Sequence, residues 1–216
     1  DWEMAIDEKD RTVFYLHEIV KKVYRCIQRC EFFLYDRYPK LKPILPKEIK
    51  SLYADDLAKK YPTLTPKERE NKVAKEYGAV FITGIGGQMN DGTIHDGRAP
   101  DYDDWITESG DGHRGLNGDI LVWNPVLDMA LELSSMGIRV DEDSLLRQLE
   151  ISDTMDRLEL PYHQKILKKE LPYTIGGGIG ISRICLLLLE KEHIAEIQAS
   201  SWQDKTIKEL KEVKVL

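Results

Sequence analysis

Residues 174–189 read Thr-Ile-Gly-Gly-Gly-Ile-Gly-Ile-Ser-Arg-Ile-Cys-Leu-Leu-Leu-Leu. Four of the five residues from 176 to 180 are glycine, so another group can approach the backbone closely here. The apolar run after Arg183 is long enough for a buried helix. A fixed positive charge and free backbone N–H groups beside a helix start suit a phosphate. Alone, the pattern fits equally well a glycine turn before a core helix, with Arg183 paired to a surface carboxylate.

The composition is that of a globular protein. The 216 residues are 42% hydrophobic and 32% charged, which predicts a packed chain that we interpret as one domain, residues 1–216. We find no secretory signal and no apolar run of the ~20 residues that a membrane span needs, so we expect a cytoplasmic protein without a membrane partner. The net charge of −7 argues against a nucleic-acid-binding module.

The cysteines favour a reducing compartment, because their number, three, is odd. Cys26 and Cys30 are one helical turn apart, beside an apolar stripe, and are expected to pack in the core. Cys185 lies inside the apolar run and is also expected to pack in the core.

Hydrophobic periodicity predicts most of the helices and strands. Apolar residues at steps of three and four predict an amphipathic helix from Thr12 to about Arg37, with Thr12 as its N-cap. Thr65 followed by Pro66 is typical of a capped helix start, and that helix should run to Tyr77. The other predicted elements are a loop at 39–48, helices at Ser51–Lys60, Asp143–Glu150, Pro161–Lys169 and from Lys205 onward, and strands at Ala79–Gly86, Ile120–Trp123, Ala130–Val140 and Glu196–Ala199. This order predicts an α+β fold with an antiparallel sheet.

The chain opens on an alternating pattern that is typical of a half-buried strand. Asp1 and Glu3 would share one face of this strand, where two carboxylates could hold a substrate ammonium group or simply face solvent. A strand rarely begins at the first residue of a protein, so we expect that the front of the domain is missing.

A second cluster of polar groups lies in the long loop between residues 87 and 118. Arg98 could clamp a substrate carboxylate, and the surrounding carboxylates could bind an amine. A metal site from His95, Asp96 and Asp103 matches no common spacing. A solvated acidic loop is the alternative.

A third pattern is Glu-Leu-Ser-Ser-Met-Gly-Ile-Arg at 132–139. Glu132 and Ser135 could both offer oxygen to Mg²⁺. A regular strand would point them to opposite faces, so both can serve one ion only across a bulge, which Gly137 makes plausible. The alternative is an ordinary strand with outward polar positions.

These three motifs together resemble the second half of a class II aminoacyl-tRNA synthetase catalytic core. The order is a D-x-E strand, an E-x-x-S strand and a G-x-G-x-x-R that opens an apolar helix. Longer strings are similar to the ammonia-dependent asparagine synthetases, the aspartate–ammonia ligases. These strings are residues 84–87, 95–105, 115–127 and 132–140.

The resemblance implies that aspartate and ATP form a β-aspartyl adenylate, and that ammonia then displaces AMP to give asparagine. It implies an antiparallel sheet flanked by helices, a requirement for Mg²⁺ and a homodimer. By position, the resemblance implies that Arg183 binds ATP phosphate, and that Glu132 with Ser135 binds the nucleotide and Mg²⁺. Leu133 and Ser134 would lie near the nucleotide and aspartate, and Gly178 and Gly180 on the adenine side. Asp1 with Glu3 would belong to the aspartate site, Arg98 would bind a substrate carboxylate, and Asp103 would lie on the ammonia side.

Two other functions stay open at this point. One is an aspartyl- or asparaginyl-tRNA synthetase-like paralogue, and the other is a non-catalytic ligand-binding remnant. The family carries two further motifs before the D-x-E strand that are absent here. We therefore expect this chain alone to form the adenylate poorly.

Overall fold

The computed structural model describes residues 1–210. Its strands are β1 (Trp2–Ala5), β2 (Lys50–Tyr53), β3 (Ala79–Thr83), β4 (Glu108–Gly110), β5 (His113–Arg114), β6 (Asn117–Asn124), β7 (Met129–Ile138) and β8 (Thr174–Ile179). Its α-helices are α1 (Val13–Arg37), α2 (Ala54–Lys60), α3 (Pro66–Tyr77), α4 (Glu142–Ile151), α5 (Pro161–Leu167), α6 (Ile181–Leu188) and α7 (Asp204–Glu209). In the part of the chain that the structure describes, no helix is long and apolar enough to cross a membrane.

Six strands form one sheet in the order β1-β8-β7-β6-β3-β2, and β4 and β5 form a separate hairpin. The expected antiparallel pairing is confirmed for the four ladders from β1 to β3. At the far edge, β2 runs parallel to β3. The fold class predicted from the sequence, α+β with an antiparallel sheet and flanking helices, is therefore confirmed, with one parallel edge strand added.

Each face of the sheet has its own hydrophobic core. On one face, α1 and α6 pack against inward residues such as Phe81, Ile120 and Met136. On the other face, α2 and α3 cover β3 and β6 around Val80 and Leu121. α3 reaches the start of β7, where the Asn71 side chain accepts a hydrogen bond from the Ala130 N–H, and farther along β7 the same face carries an open cleft beside β8. The opening positions the candidate site.

Local capping chemistry sets several helix starts as the sequence predicts. The Thr12 hydroxyl accepts a hydrogen bond from the Tyr15 N–H at the start of α1. Thr65 and Glu68 form a reciprocal capping box at α3, with proline at the first turn. Each of these caps satisfies N–H groups that would otherwise lack a partner at the helix start.

Two expected elements are too long at one end. The helix predicted at Ser51–Lys60 begins only at Ala54, because the preceding residues pair with β3 as β2. The strand predicted at Ala79–Gly86 ends at Thr83, since Gly84 takes a φ of +79° that leaves the extended region.

No strand forms near Glu196–Ala199 in the described chain. A short 3₁₀ turn, Ile194–Glu196, occupies the start of this segment, and the Glu196 carboxylate accepts hydrogen bonds from the backbone N–H groups of Glu192 and His193. These local bonds replace a strand ladder. The charged helix expected from Lys205 corresponds to α7, and its continuation beyond residue 210 lies outside the described residues.

The expected burial of Cys26 and Cys30 is wrong, because both are exposed. The buried stripe of α1 runs through residues such as Leu16, Tyr24 and Glu31 instead. Glu31 is buried because its carboxylate accepts hydrogen bonds from the N–H groups of Ile44 and Leu45 in the following loop. Cys185 on α6 is half-buried.

Candidate active site

An open cleft of about 420 Å³ lies over the uncovered face of β7 and β8. Most of the site residues that the sequence predicted meet there, although they come from four separate segments of the chain. The residues that line it are Asp1, Arg98, Tyr102, Asp103, Glu132, Ser135, Arg139, Gly177 and Gly178.

A β-bulge in β7 brings Glu132 and Ser135 to the same face. Opposite it, consecutive residues Ile120 and Leu121 pair with Ser134 and Glu132, so that Leu133 has no partner. The extra residue shifts the alternation of side chains between the two faces by one position. Glu132 and Ser135 therefore point to the same face, and both line the cleft. The bulge that the sequence required is therefore present, at Leu133 rather than beside Gly137.

Glu3 and Asp1 lie on the same face of the β1 edge, next to the glycines of β8. A Cβ at Gly176 would come within 2.0 Å of the Glu3 carboxylate, and one at Gly178 within 3.1 Å of the Asp1 carboxylate. The glycines thus leave the space that these carboxylates occupy. Gly176 faces Glu3 directly in the β1–β8 register.

Arg139 is the central cation of the cleft, and sequence reasoning assigned it no role. Its guanidinium donates to the Glu3 carboxylate at 2.8–3.2 Å and to Asp103, and its centre lies 3.8 Å from the centroid of the Tyr102 ring. It is 4% exposed. The signal that could have found it is the alternation along β7, which puts Arg139 on the face of Ser135 and Gly137.

Arg98 forms a second, partly buried ion pair, with Asp119 of β6. One terminal nitrogen lies 2.6 and 2.7 Å from the two carboxylate oxygens, and the other donates to Asp96 at 2.9 Å. Arg98 also lies 3.4 Å from the Ser135 hydroxyl. Asp119 was not singled out from the sequence, although it faces Ser135 across the β6–β7 ladder.

The residues expected near the nucleotide lie around the junction of β8 and α6. Arg183, in the first turn of α6, donates to the Glu132 carbonyl at 3.0 Å and lies 3.2 Å from the Glu132 carboxylate. Its side chain is 49% exposed, so it can still turn toward a ligand. The Gly180 N–H donates to the Leu133 carbonyl, which fixes the glycine turn on the bulge.

The side chains of Leu133 and Ser134 do not reach the cleft. Leu133 belongs to the hydrophobic core on the opposite face. The Ser134 hydroxyl donates to the Gly178 carbonyl at 2.8 Å and is buried. Of these two residues, which were expected to lie near the nucleotide and aspartate, only the backbone therefore adjoins the cleft.

Burial shifts the ionisation of the acidic groups in the cleft. It raises the pKa of Asp103, and the charge of Arg139 offsets part of that rise. It likewise raises the pKa of Asp119 against the opposing charge of Arg98, and the pKa of Glu132, which the neighbouring Asp119 raises further. Burial alone would raise the pKa of Glu3 too, but hydrogen bonds from Arg139 and Thr174 outweigh it, so that this pKa is lowered.

A further arginine, Arg11, does not line the cleft but contacts the backbone of Arg139, which does. It donates to the Arg139 carbonyl at 2.6 Å and forms ion pairs with Asp104 at 2.8 Å and Asp141 at 2.9 Å. The Asp104 carboxylate also accepts from the backbone N–H of Thr107. Arg11 thus joins the end of β7 to the loop that carries Asp103.

The metal site considered for His95, Asp96 and Asp103 is not assembled. His95 contacts Glu70 at 3.2 Å, Asp96 pairs with Arg98, and Asp103 pairs with Arg139. Among residues 1–210, no group of three or more His, Cys, Asp or Glu side chains is arranged to hold a metal ion.

Residues 1–214 match the aspartate–ammonia ligase family. A curated aspartate–ammonia ligase from Parabacteroides distasonis is 52% identical over 209 residues, which are 97% of this chain and 61% of that protein. The chain thus spans less than two thirds of this relative's length.

Solved structures of class II synthetases share the fold. An aspartyl-tRNA synthetase from Entamoeba histolytica matches with a TM-score of 0.63 and 16% identity over 91% of this chain and 41% of its own. An asparaginyl-tRNA synthetase from Pyrococcus horikoshii matches with a TM-score of 0.63 and 15% identity over 89% of this chain and 46% of its own. At such low identity, these matches establish the fold alone.

Proposed function

The chain belongs to the aspartate–ammonia ligase family, and on that premise we propose that it forms much of a catalytic core that makes L-asparagine from L-aspartate, ATP and ammonia. The observation that carries the proposal is the cleft itself. It gathers the buried Arg139, the partly buried Arg98 and the carboxylates Asp1, Asp103 and Glu132 on one open sheet face. Activation would proceed through a β-aspartyl adenylate with release of pyrophosphate, and ammonia would then release AMP.

The aspartate end of the cleft is assigned to the surroundings of Arg139. A rigid guanidinium binds a carboxylate by two parallel hydrogen bonds, and Arg139 is already held over the Tyr102 ring, 3.8 Å from its centroid. Asp1 and Glu3 at the β1 edge would receive the substrate ammonium group. Arg98 lies on the same face and remains the second candidate for a substrate carboxylate, since both arginines are already paired with carboxylates of their own chain.

The nucleotide end is assigned to β8 and the start of α6. Gly178 and Gly180 leave room for the base and sugar, and Arg183 is free enough to reach phosphate oxygens. Negative charge grows on those oxygens as the adenylate forms, so a fixed cation lowers the barrier more than it stabilises bound ATP.

Mg²⁺ fits this end of the cleft as a partner of ATP. Glu132 and Ser135 share one face and have Asp119 beside them, which is a donor set of oxygens. Mg²⁺ commonly takes one or two protein carboxylates and completes its shell with phosphate and water. When bound, the ion would neutralise charge on the phosphates, and Glu132 would hold it against the sheet.

Asp103 is the proposed acceptor for the proton that ammonium must lose before attack. Its burial brings the pKa of its carboxyl closer to neutral pH, which improves a general base. Its contact with Arg139 keeps it next to the carboxylate end of the substrate.

The test uses the full-length natural protein with ATP, aspartate and Mg²⁺, with AMP and asparagine as the products measured. We expect AMP release to require ammonium, to match asparagine one to one and to be unaffected by tRNA. AMP release that requires tRNA, with aspartate attached to it, would favour the tRNA synthetase-like alternative. Binding of aspartate or ATP without any AMP release would favour a non-catalytic remnant.

The remaining parts of the proposal concern the assembly and the compartment. We propose a homodimer in the cytoplasm, as the family resemblance implies. Sedimentation of the full-length protein at micromolar concentration tests the dimer, since a species of monomer mass alone would exclude it.

A further inference from the structure

The loop from Pro100 to Trp105 carries two of the groups that surround Arg139, namely Tyr102 and Asp103. The loop has no regular secondary structure, yet both side chains must hold their positions within a fraction of an ångström to shape a binding site. On one side, the loop is fixed to the end of β7. The Asp104 N–H donates to the Ile138 carbonyl, and the Val140 N–H donates to the Tyr102 carbonyl.

On the side of α4, a buried amide also holds the loop, in addition to the ion pairs of Asp104 with Arg11 and of Asp101 with Arg157. Gln148, on α4, has 0% of its surface exposed. Its amide nitrogen donates to the Pro100 carbonyl at 2.8 Å and to the Asp103 carbonyl at 3.0 Å, and its amide oxygen accepts from the Trp105 N–H at 2.8 Å. Both amide protons and the oxygen are therefore used on this one loop.

The chemistry of this contact requires a glutamine. Two carbonyls and one N–H need two donors and one acceptor on the same group, and a primary amide is the neutral side chain that offers them. A carboxylate would place an oxygen against two carbonyl oxygens, and an apolar side chain would leave three buried backbone groups without partners. The two carbonyls flank Tyr102 and Asp103, so the amide fixes the backbone on either side of them.

We propose that Gln148 is a positioning residue that sets the affinity of the cleft for aspartate, by holding Tyr102 and Asp103 against Arg139. The inference rests on the proposed function, because it concerns the aspartate end of the same site. The nucleotide end depends on β8 and α6, which Gln148 does not touch. Loss of the amide therefore affects one substrate and spares the other.

The experiment compares Gln148→Met and Gln148→Glu in the full-length protein, with steady-state kinetics for each substrate. Gln148→Met should raise KM for aspartate about 10- to 100-fold and change KM for ATP less than about twofold. Gln148→Glu should show the same defect at pH 8 and lose part of it toward pH 6, because a protonated carboxyl regains one donor. This recovery with falling pH is a readout that general destabilisation would not give.

The matched control is Gln164→Met on α5. Gln164 also donates its amide to a backbone carbonyl, that of Leu158 at 2.7 Å, but away from the cleft. It should leave both KM values unchanged. The inference is overturned if Gln148→Met alters both KM values equally, alters neither, or behaves like the control.

A measurement on the unmodified protein covers the case in which the Gln148 variants do not fold. Aspartate should slow hydrogen exchange at the Trp105 N–H and its neighbours in the loop, whereas a non-hydrolysable ATP analogue alone should not. Equal exchange with and without aspartate overturns the inference. Absence of any ammonium-dependent AMP release by the wild type instead overturns the proposed function, which separates the two failures.

Discussion

The buried Arg139 and the partly buried Arg98 each face two carboxylates of their own chain. Arg139 lies between Glu3 and Asp103, and Arg98 lies between Asp119 and Asp96. Removing one member of such a pair leaves an uncompensated buried charge. The arginines are therefore poor first choices for mutation, since loss of binding and loss of folding would coincide.

Arg183 offers a cleaner test at the scale of a single residue, because it is half-exposed. Arg183→Lys keeps the charge but loses the planar fork that fits phosphate. We expect KM for ATP to rise about 10-fold or more, with KM for aspartate within twofold and an unchanged melting temperature. Steady-state kinetics and thermal unfolding check this, with Arg29→Lys on α1 as the control. A larger effect on aspartate than on ATP would contradict the assignment of Arg183 to the nucleotide end.

The sequence carried enough information to predict most of the residues that line the cleft but not their partners. Asp1, Arg98, Glu132 and Ser135 stand in motifs that can be read along the chain. Some ion-pair partners in the cleft lie far apart in sequence: Asp119 is 21 residues from Arg98, and Arg139 is 136 residues from Glu3. Strand register alone decides such pairs, and register depends on the assembled sheet.

At the scale of elements, the glycines of β8 allow neighbouring strands to pack closely against it. A Cβ at Gly177 would lie 2.5 Å from the Ser135 carbonyl oxygen and 2.6 Å from the Met136 Cβ, which are parts of the neighbouring strand. At Gly180, a Cβ would meet its nearest atoms only at 3.4 Å. The two glycines are therefore required for different reasons.

We predict that Gly177→Ala lowers the free energy of unfolding by about 2 kcal/mol or more, because the added methyl group overpacks against backbone. Gly180→Ala should change it by less than about 0.5 kcal/mol and act instead on ATP binding. Urea unfolding of both variants provides the measurement. Equal destabilisation by the two substitutions would contradict the packing that the structure shows.

The start of α4 allows a prediction of pH dependence. Burial would raise the pKa of Asp141, but hydrogen bonds from Ser144 and the charge of Arg11 outweigh it and lower that pKa below its ordinary value of 3.8. A lowered pKa in the folded state gives stability that is present above the ordinary value and is lost as pH falls through the lowered one.

Asp141→Asn keeps an N-cap acceptor but removes the charge. The wild type should therefore be more stable than this variant at pH 6, and the difference in free energy of unfolding should shrink as the pH falls from 5 to below 3.8. Chemical unfolding across that range tests it. A difference that is constant with pH would show that the charge of Asp141 contributes nothing.

Elements could be predicted where local chemistry governs and not where tertiary pairing does. The caps at Thr12 and Thr65 act within three residues, so they are visible in the sequence. The strand β2 exists only because β3 lies beside it, and its residues were instead included in a predicted helix. Conversely, Glu196–Ala199 was predicted as a strand, yet no neighbouring strand pairs with it in the described chain.

At the scale of the whole molecule, stability should decrease from the centre of the sheet outward. β6 and β7 are paired on both sides and lie between the two hydrophobic cores, whereas β4 and β5 form an exposed hairpin. Amides that exchange only by global unfolding are expected in the central strands.

We predict that hydrogen exchange is slowest at β6 and β7, faster at β1 and fastest at the β4–β5 hairpin. Mass spectrometry of exchanged peptides resolves these regions. The control is the unfolded chain in urea, where the regions should differ only by their intrinsic rates. A hairpin as protected as β7 would contradict this order of stability.

The arrangement of Arg139 between Glu3 and Asp103 has a consequence for the thermodynamics of substrate capture. An incoming carboxylate would bring a third negative group to one guanidinium, so binding becomes an exchange of one acid for another. The acid most easily released is Glu3, the more exposed of the two, which can then pair with the substrate ammonium group while Asp103 stays ionised as a base. No proton is taken up in this exchange, so the heat of aspartate binding should not vary with the ionisation enthalpy of the buffer.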